Sequence, residues 1–224
     1  MSKELLKKGF LQVLGLLCIA FGVSAVILSK LGAGSFDAFN TFTTIFVGLP
    51  IESVGTVTLV VNTSIAAILF LLTRQKKLFF SAVAGILIGF FINFAIFIYG
   101  FIFPVSADGK MLLNNIFFGT IYNIAMVFLV GVGTAILITQ KLIMTPFDEL
   151  SKYLTTKLKS YQLSKVTLDA FFLISAIILG VIVKRIWEQI NFFTLISVFA
   201  TGPVINLFIV LFNKNKTKGV ENGN

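Results

Sequence analysis

Two stretches of this sequence place an acid in the same setting. "KLGAGSFDAF" and "KLIMTPFDEL" share the pattern Lys-Leu-x4-Phe-Asp, each just after a long apolar run. The aspartates, Asp37 and Asp148, are 111 residues apart in a chain with only nine carboxylates. A carboxylate there can cap the first turn of a helix, or it can hold a cation on a path through a low-dielectric region. Thr145-Pro146-Phe147-Asp148 has the form of a helix start: threonine as N-cap, proline in the first turn, and aspartate at the third position of a capping box. Gly34-Ser35-Phe36-Asp37 is a weaker copy. Both roles stay open for both acids: caps of short helices, and groups that line a pathway from opposite faces or couple it to cations.

Further polar residues fall inside apolar runs. Asn93 and Asn206 end the related stretches "GFFIN" (89–93) and "GPVIN" (202–206). An amide at membrane depth must be paired, either with another helix or with a solute. Asp169 is the single acid inside an apolar run, and it either snorkels to water or pairs with Lys165 one turn away. Gly89 and Gly202 permit close helix approach, and Pro203 is expected to kink its helix by removing a backbone bond. Asn62 and Tyr122 are polar residues with weaker claims.

Bond-making chemistry has little to work with. Histidine is absent, which removes the commonest general base and metal ligand. No nucleophile–base pair, phosphate loop or zinc spacing is visible, so the expectation is no enzyme, no catalytic residue, no metal and no cofactor. The lone Cys18 has no partner for a disulfide and reads as packing.

The elements that position these residues follow from composition. The chain is 57% hydrophobic and 12% charged, with mean hydropathy +1.00. That charged share is about half the usual value for a soluble domain. Lipid must therefore be the solvent for most of the chain. Six stretches are long enough to cross a bilayer as helices: approximately 10–29, 55–73, 79–103, 116–139, 166–183 and 192–212. The first run is longer than the apolar part of a signal peptide and is expected to stay as an uncleaved helix.

Basic residues orient the spans. With the N-terminus cytoplasmic, the outside loops hold only Lys30, Lys110, Lys184 and Arg185 of the eighteen lysines and arginines. The net charge of +9 then lies along the cytoplasmic face beside anionic lipid, and no nucleic acid is needed to explain it. The expected location is the inner cell membrane, multi-pass, with both termini cytoplasmic.

A shift of 111 residues also pairs Gly22 with Gly133, Ser53 with Ser164, Thr56 with Thr167 and Arg74 with Arg185. A shift of 113 pairs the two Gly-x-x-Ile-Asn stretches. The expected architecture is an all-α membrane domain, 1–224, built from two three-helix repeats at approximately 9–103 and 115–212, with a cytoplasmic tail at 213–224. Three spans per copy is an odd number, so the second copy enters from the other side. That is an inverted-topology repeat, a recurring plan of secondary transporters. The segment 34–50 can span, dip or lie in the interface. The segment 146–159 suits an amphipathic helix on the cytoplasmic leaflet.

These residues carry a family resemblance. "GVSAVILSKLGAGSFDAFN", "VGTV" at 54–57 and "GPVIN" at 202–206 resemble stretches of the YczE/YyaS/YitT-type bacterial integral membrane proteins, over nearly the whole chain. The chain lacks the soluble C-terminal domain of many YitT-type members, so the YczE-like branch fits better. The resemblance implies a polytopic bacterial inner-membrane protein and gives no substrate. The second copy departs from the first, with "LIMTPFD" in place of "LGAGSFD".

The leading expectation is a small transporter or exporter of an unidentified solute, using Asp37, Asp148, Asn93, Asn206 and Asp169. Two alternatives stand beside it. One is a regulatory or scaffold protein that acts through helix 146–159. The other is the substrate-binding subunit of an energy-coupling-factor importer, which would need an ATPase partner. Beyond the bilayer and a small solute, a homo-oligomer or a protein partner at the cytoplasmic face is left open.

Overall fold

A computed structural model describes residues 3–103 and 115–221. Lys110 and residues 222–224 of the expected tail lie outside them. All regular structure among the described residues is helical. Eight α-helices follow in order: α1 Lys3–Ser29, α2 Ser35–Phe46, α3 Val54–Thr73, α4 Lys77–Ile102, α5 Ile116–Thr139, α6 Pro146–Leu158, α7 Tyr161–Ile182 and α8 Phe192–Glu221. Six of them, all but α2 and α6, are long and apolar enough to cross a membrane. They match the six expected spans to within a few residues at most ends. α1 begins earlier, at Lys3, and α8 runs on to Glu221.

Helix α4 explains the placement of the phenylalanines. Leu78, Ser81, Gly85, Ile88, Ile92, Ala95 and Tyr99 recur at three- and four-residue spacing and are buried. Phe79, Phe80, Phe90, Phe94, Phe97 and Phe101 cover the rest of the helix and are exposed. A helix with small and branched residues inside and aromatic rings outside suits packing against protein on one side and lipid on the other.

Helix ends use cations where soluble proteins use glycine. Lys30, Arg74, Lys141, Lys159 and Lys184 all have φ between 51° and 57° at or beside the C-terminus of a helix. A left-handed residue closes the last turn, and a basic side chain there faces the negative end of the helix dipole.

α1 and α5 form the central antiparallel pair. Gly15 lies against Gly133 and Leu137, and Gly22 lies against Met126 and Val130. α3 packs on α4, α5 on α8, α1 on α4, and α2 on α7. By the same register Ser29 faces the region of residue 121, so α1 ends before α5 begins. The chain that follows it, 30–34, turns inward.

The segment 34–50, which by sequence can span, dip or float, holds the 12-residue helix α2, too short to cross a bilayer, with Ala38, Asn40, Thr41, Phe42 and Thr44 all fully buried. Helix α6 corrects an expectation: it does not rest on a leaflet with its apolar face in lipid. Phe147, Leu150, Tyr153 and Leu154 pack with Phe36, Leu168 and Phe172, and the start of α6 sinks between α3, α4 and α7. The amphipathic pattern is real, but the apolar face found protein.

Candidate functional site

The first turns of α2 and α6 come together. Phe36 stacks on Phe147 with ring centroids 4.5 Å apart, and Phe172 of α7 sets its ring against both, at 5.0 and 5.6 Å. Offset and edge-on contacts of this kind are the favourable arrangements for aromatic rings. The two Lys-Leu-x4-Phe-Asp motifs, far apart in sequence, thus meet at one point.

Beside this point opens a cavity of about 890 Å³, lined by residues of all eight helices or the turns between them. Asp37, Asp148, Asp169, Asn206 and Gly202 all line it. Asn93, Gly89 and Pro203 do not. Much of the wall is aliphatic, including Ile19, Val23, Ile88, Ile92, Val130 and Leu137.

The caps differ as the sequence suggested. Thr145 is the N-cap of α6, with Pro146 at the first helical position. Its Oγ1 accepts weakly from the Asp148 backbone N–H at 3.4 Å and donates to Asp148 Oδ2 at 2.8 Å. The N-cap of α2 is Gly34, which supplies no side-chain cap. Asp37 accepts no side-chain hydrogen bond among the described residues and has no basic nitrogen within ion-pair distance. A carboxylate freed from capping and turned to a cavity is available for something else.

Asp169 is held from two sides. Ser35 Oγ donates to its Oδ1 at 2.9 Å, and Lys165 Nζ lies 3.2 Å from the same oxygen. The expected Lys165 pair is present. Asp169 also ties α7 to the start of α2. Lys165 Nζ sits 4.6 Å above the Phe147 ring as well, a cation–π distance.

Charge at the cavity is unevenly compensated. Lys165 answers Asp169, and Lys152 answers Glu149 at 3.0 Å. Lys141 lines the exposed turn after α5. Asp37 and Asp148 have no ion pair among the described residues. Both lie on helices other than the six spanning ones. Burial pushes Asp37 up to about 7, against a downward pull from Lys165 and with a further push from Asp169. Asp148 also rises through burial, opposed first by its Thr145 hydrogen bond. Burial raises Glu149 too, but hydrogen bonds from Lys77 and Lys152 outweigh it and hold the carboxyl below its ordinary range.

The amides separate into two roles. Asn93 donates from Nδ2 to Thr56 Oγ1 at 2.9 Å and presses on Gly55, so it joins α4 to α3 away from the cavity. Gly89 takes part in the same crossing, where a Cβ would stand 2.4 Å from the Gly55 carbonyl oxygen. Asn206 is exposed at the cavity wall. Gly202 corrects an expectation: nothing lies within 4 Å of a Cβ built there, so it serves no close helix contact. α8 continues as one helix through Pro203.

Asn62 is the functional candidate that the sequence undervalued. It lines the cavity, is 2% exposed, and donates from Nδ2 to the Thr58 carbonyl at 3.0 Å. Its Oδ1 is buried with no partner. An asparagine inside an apolar run was the signal, but nothing in the sequence set Asn62 above Asn93.

This arrangement presents charged, hydrogen-bonding and apolar groups to one cavity. The chain is 26% identical over 204 residues to the uncharacterized protein YyaS of Bacillus subtilis (strain 168), covering 90% of this chain and 92% of that one. No solved structure matches it. The family model described as a family of unknown function, DUF6198, matches residues 6–210, nearly the whole length, and the chain belongs to that family.

Proposed function

We propose that this chain is a small carrier in the inner membrane, built from two inverted halves around the central cavity. The observation that carries the reading is the Phe36–Phe147 stack. These residues are 111 apart, the same shift that pairs the two motifs. In a two-fold arrangement a residue touches its own counterpart where the axis passes between them. Other contacts obey the same shift. Gly22 meets Met126 and Val130, while Gly133 meets Gly15 and Ile19. Gly22 and Gly133, Gly15 and Met126, and Ile19 and Val130 are each 111 apart, so each contact is the image of the other. The left-handed turns at Lys30 and Lys141 are a further such pair. A two-fold in the membrane plane, with a site on or beside it, suits alternating access.

A scaffold acting through helix 146–159 gains less support, because the apolar face of α6 is already covered. A substrate-binding subunit of a larger importer would bring an ATPase module along on purification.

Topology gives the test. In a Cys18→Ser background, Leu49→Cys sits in the exposed turn after α2, and Lys157→Cys sits on the exposed side of α6. An impermeant thiol reagent on intact cells should label the first at once and the second only after permeabilisation. Labelling of both from one side would rule out inverted halves.

A further inference from the structure

We propose that the cavity binds an organic cation with N–H donors, a primary ammonium or a guanidinium on an apolar body, between Asp37, Asp148 and Asn62. The inference deepens the carrier reading and takes its cavity as the substrate site. Three independent observations point to this ligand. Asp37 and Asp148 face the cavity without an ion pair, while Lys165 and Lys152 are engaged with Asp169 and Glu149. Lys141, the remaining basic group of the wall, stands on the exposed turn after α5. A half-buried carboxyl with no cation in ion-pair contact gains its charged form when a cation binds beside it, and a bound anion would work against that.

Asn62 narrows the class. Its amide nitrogen is committed to the Thr58 carbonyl, which fixes the oxygen as the free end. That oxygen is a buried acceptor with nothing to accept from. A quaternary ammonium has no hydrogen to offer it; an ammonium or guanidinium has several.

The protein itself supplies the third observation. The Lys165 ammonium rests between the Asp169 carboxylate and the face of Phe147. An aromatic face and a carboxylate already accept an ammonium there, at the edge of the same cavity. The aliphatic wall of Ile19, Val23, Ile88, Ile92, Val130 and Leu137 would receive the apolar body.

The test uses the full chain in lipid nanodiscs and three probes of similar shape: phenethylammonium, phenethyltrimethylammonium and phenylpropanoate. Calorimetry should rank them in that order, with no binding of the carboxylate. Asp37→Asn and Asp148→Asn should each weaken phenethylammonium about 10- to 100-fold, as expected for loss of a charge-assisted contact. Asn62→Leu should narrow the preference over the trimethyl probe, leaving the part that the two carboxylates supply. If the variants fold poorly, the ranking on the unaltered chain decides alone. Equal binding of both cations, tightest binding of the carboxylate, or binding of none would overturn the proposal. Flux assays in proteoliposomes separate the two readings. Binding of phenethylammonium without flux of any probe would leave the site and sink the carrier. Flux of an anion with no cation binding would leave the carrier and sink the site.

Discussion

Leucine in place of Gly89 should prevent normal assembly of the bundle. At the α3–α4 crossing the backbones of Gly55 and Gly89 touch. A Cβ at 89 would stand 2.4 Å from the Gly55 carbonyl oxygen, and one at 55 would stand 2.0 Å from the Gly89 carbonyl oxygen. Backbone cannot swing aside as a side chain can, so the helices must part. Overpacking a core costs about 1–3 kcal/mol, and more where backbone is the obstacle. Separating α3 and α4 also strips Asn93 of Thr56 and leaves an amide unpaired. We expect a loss of about 3 kcal/mol or more, a large share of the typical stability of a folded chain. The readout is the thermal unfolding midpoint in detergent together with the yield of monodisperse protein. Gly100→Ala is the control. Nothing lies within 4 Å of a Cβ there, and alanine in a helix should stabilise by about 0.5–1 kcal/mol. A Gly89→Leu protein with the midpoint of the parent would contradict the packing account.

The second large effect is expected at Phe172. Its ring contacts Phe36, Phe39 and Phe147, from α2 and α6, and it is 5% exposed. Truncation to alanine would open a void where the two short helices meet α7. Lipid tails are as apolar as the lost ring, so the loss comes from packing contacts more than from transfer out of water. About 3 kcal/mol is the expected scale. Its neighbour Phe171 is 61% exposed, and Phe171→Ala should cost less than about 1 kcal/mol. Equal midpoints for the two variants would mean that the aromatic joint does not hold α2 and α6 together.

The six long helices were legible because bilayer thickness leaves few choices for an apolar chain. Helix α5, expected at approximately 116–139, runs Ile116–Thr139, with the Asn115 side chain capping its start. The short helices were legible as helices and illegible in placement. A run such as "SFDAFNTFTTIF" carries no charge beyond Asp37, and period alone does not say whether its faces meet lipid, water or protein. The α6 pattern misled for a related reason: an amphipathic face looks the same whether it will lie on a membrane or on a neighbouring helix. The pairing of Asp37 with Asp148 as repeated acids was visible, but their meeting in one cavity was not. That meeting depends on how far α1 and α5 overlap, and the glycines that set the register are spread among eighteen. Asn62 was passed over for the same reason. Its solitary Oδ1 becomes apparent only once Thr58 is seen to take the nitrogen.

Access to the cavity from both faces is the central claim of the carrier reading, and one cysteine can test it. Thr134 lines the cavity on α5. A Thr134→Cys, Cys18→Ser protein should be prepared in right-side-out and in inside-out vesicles and exposed to an impermeant thiol reagent. The account predicts labelling in both preparations, because a carrier opens its cavity to each side in turn. Labelling from a single side, unchanged by any of the three probes, would contradict it and leave a fixed, one-sided cavity.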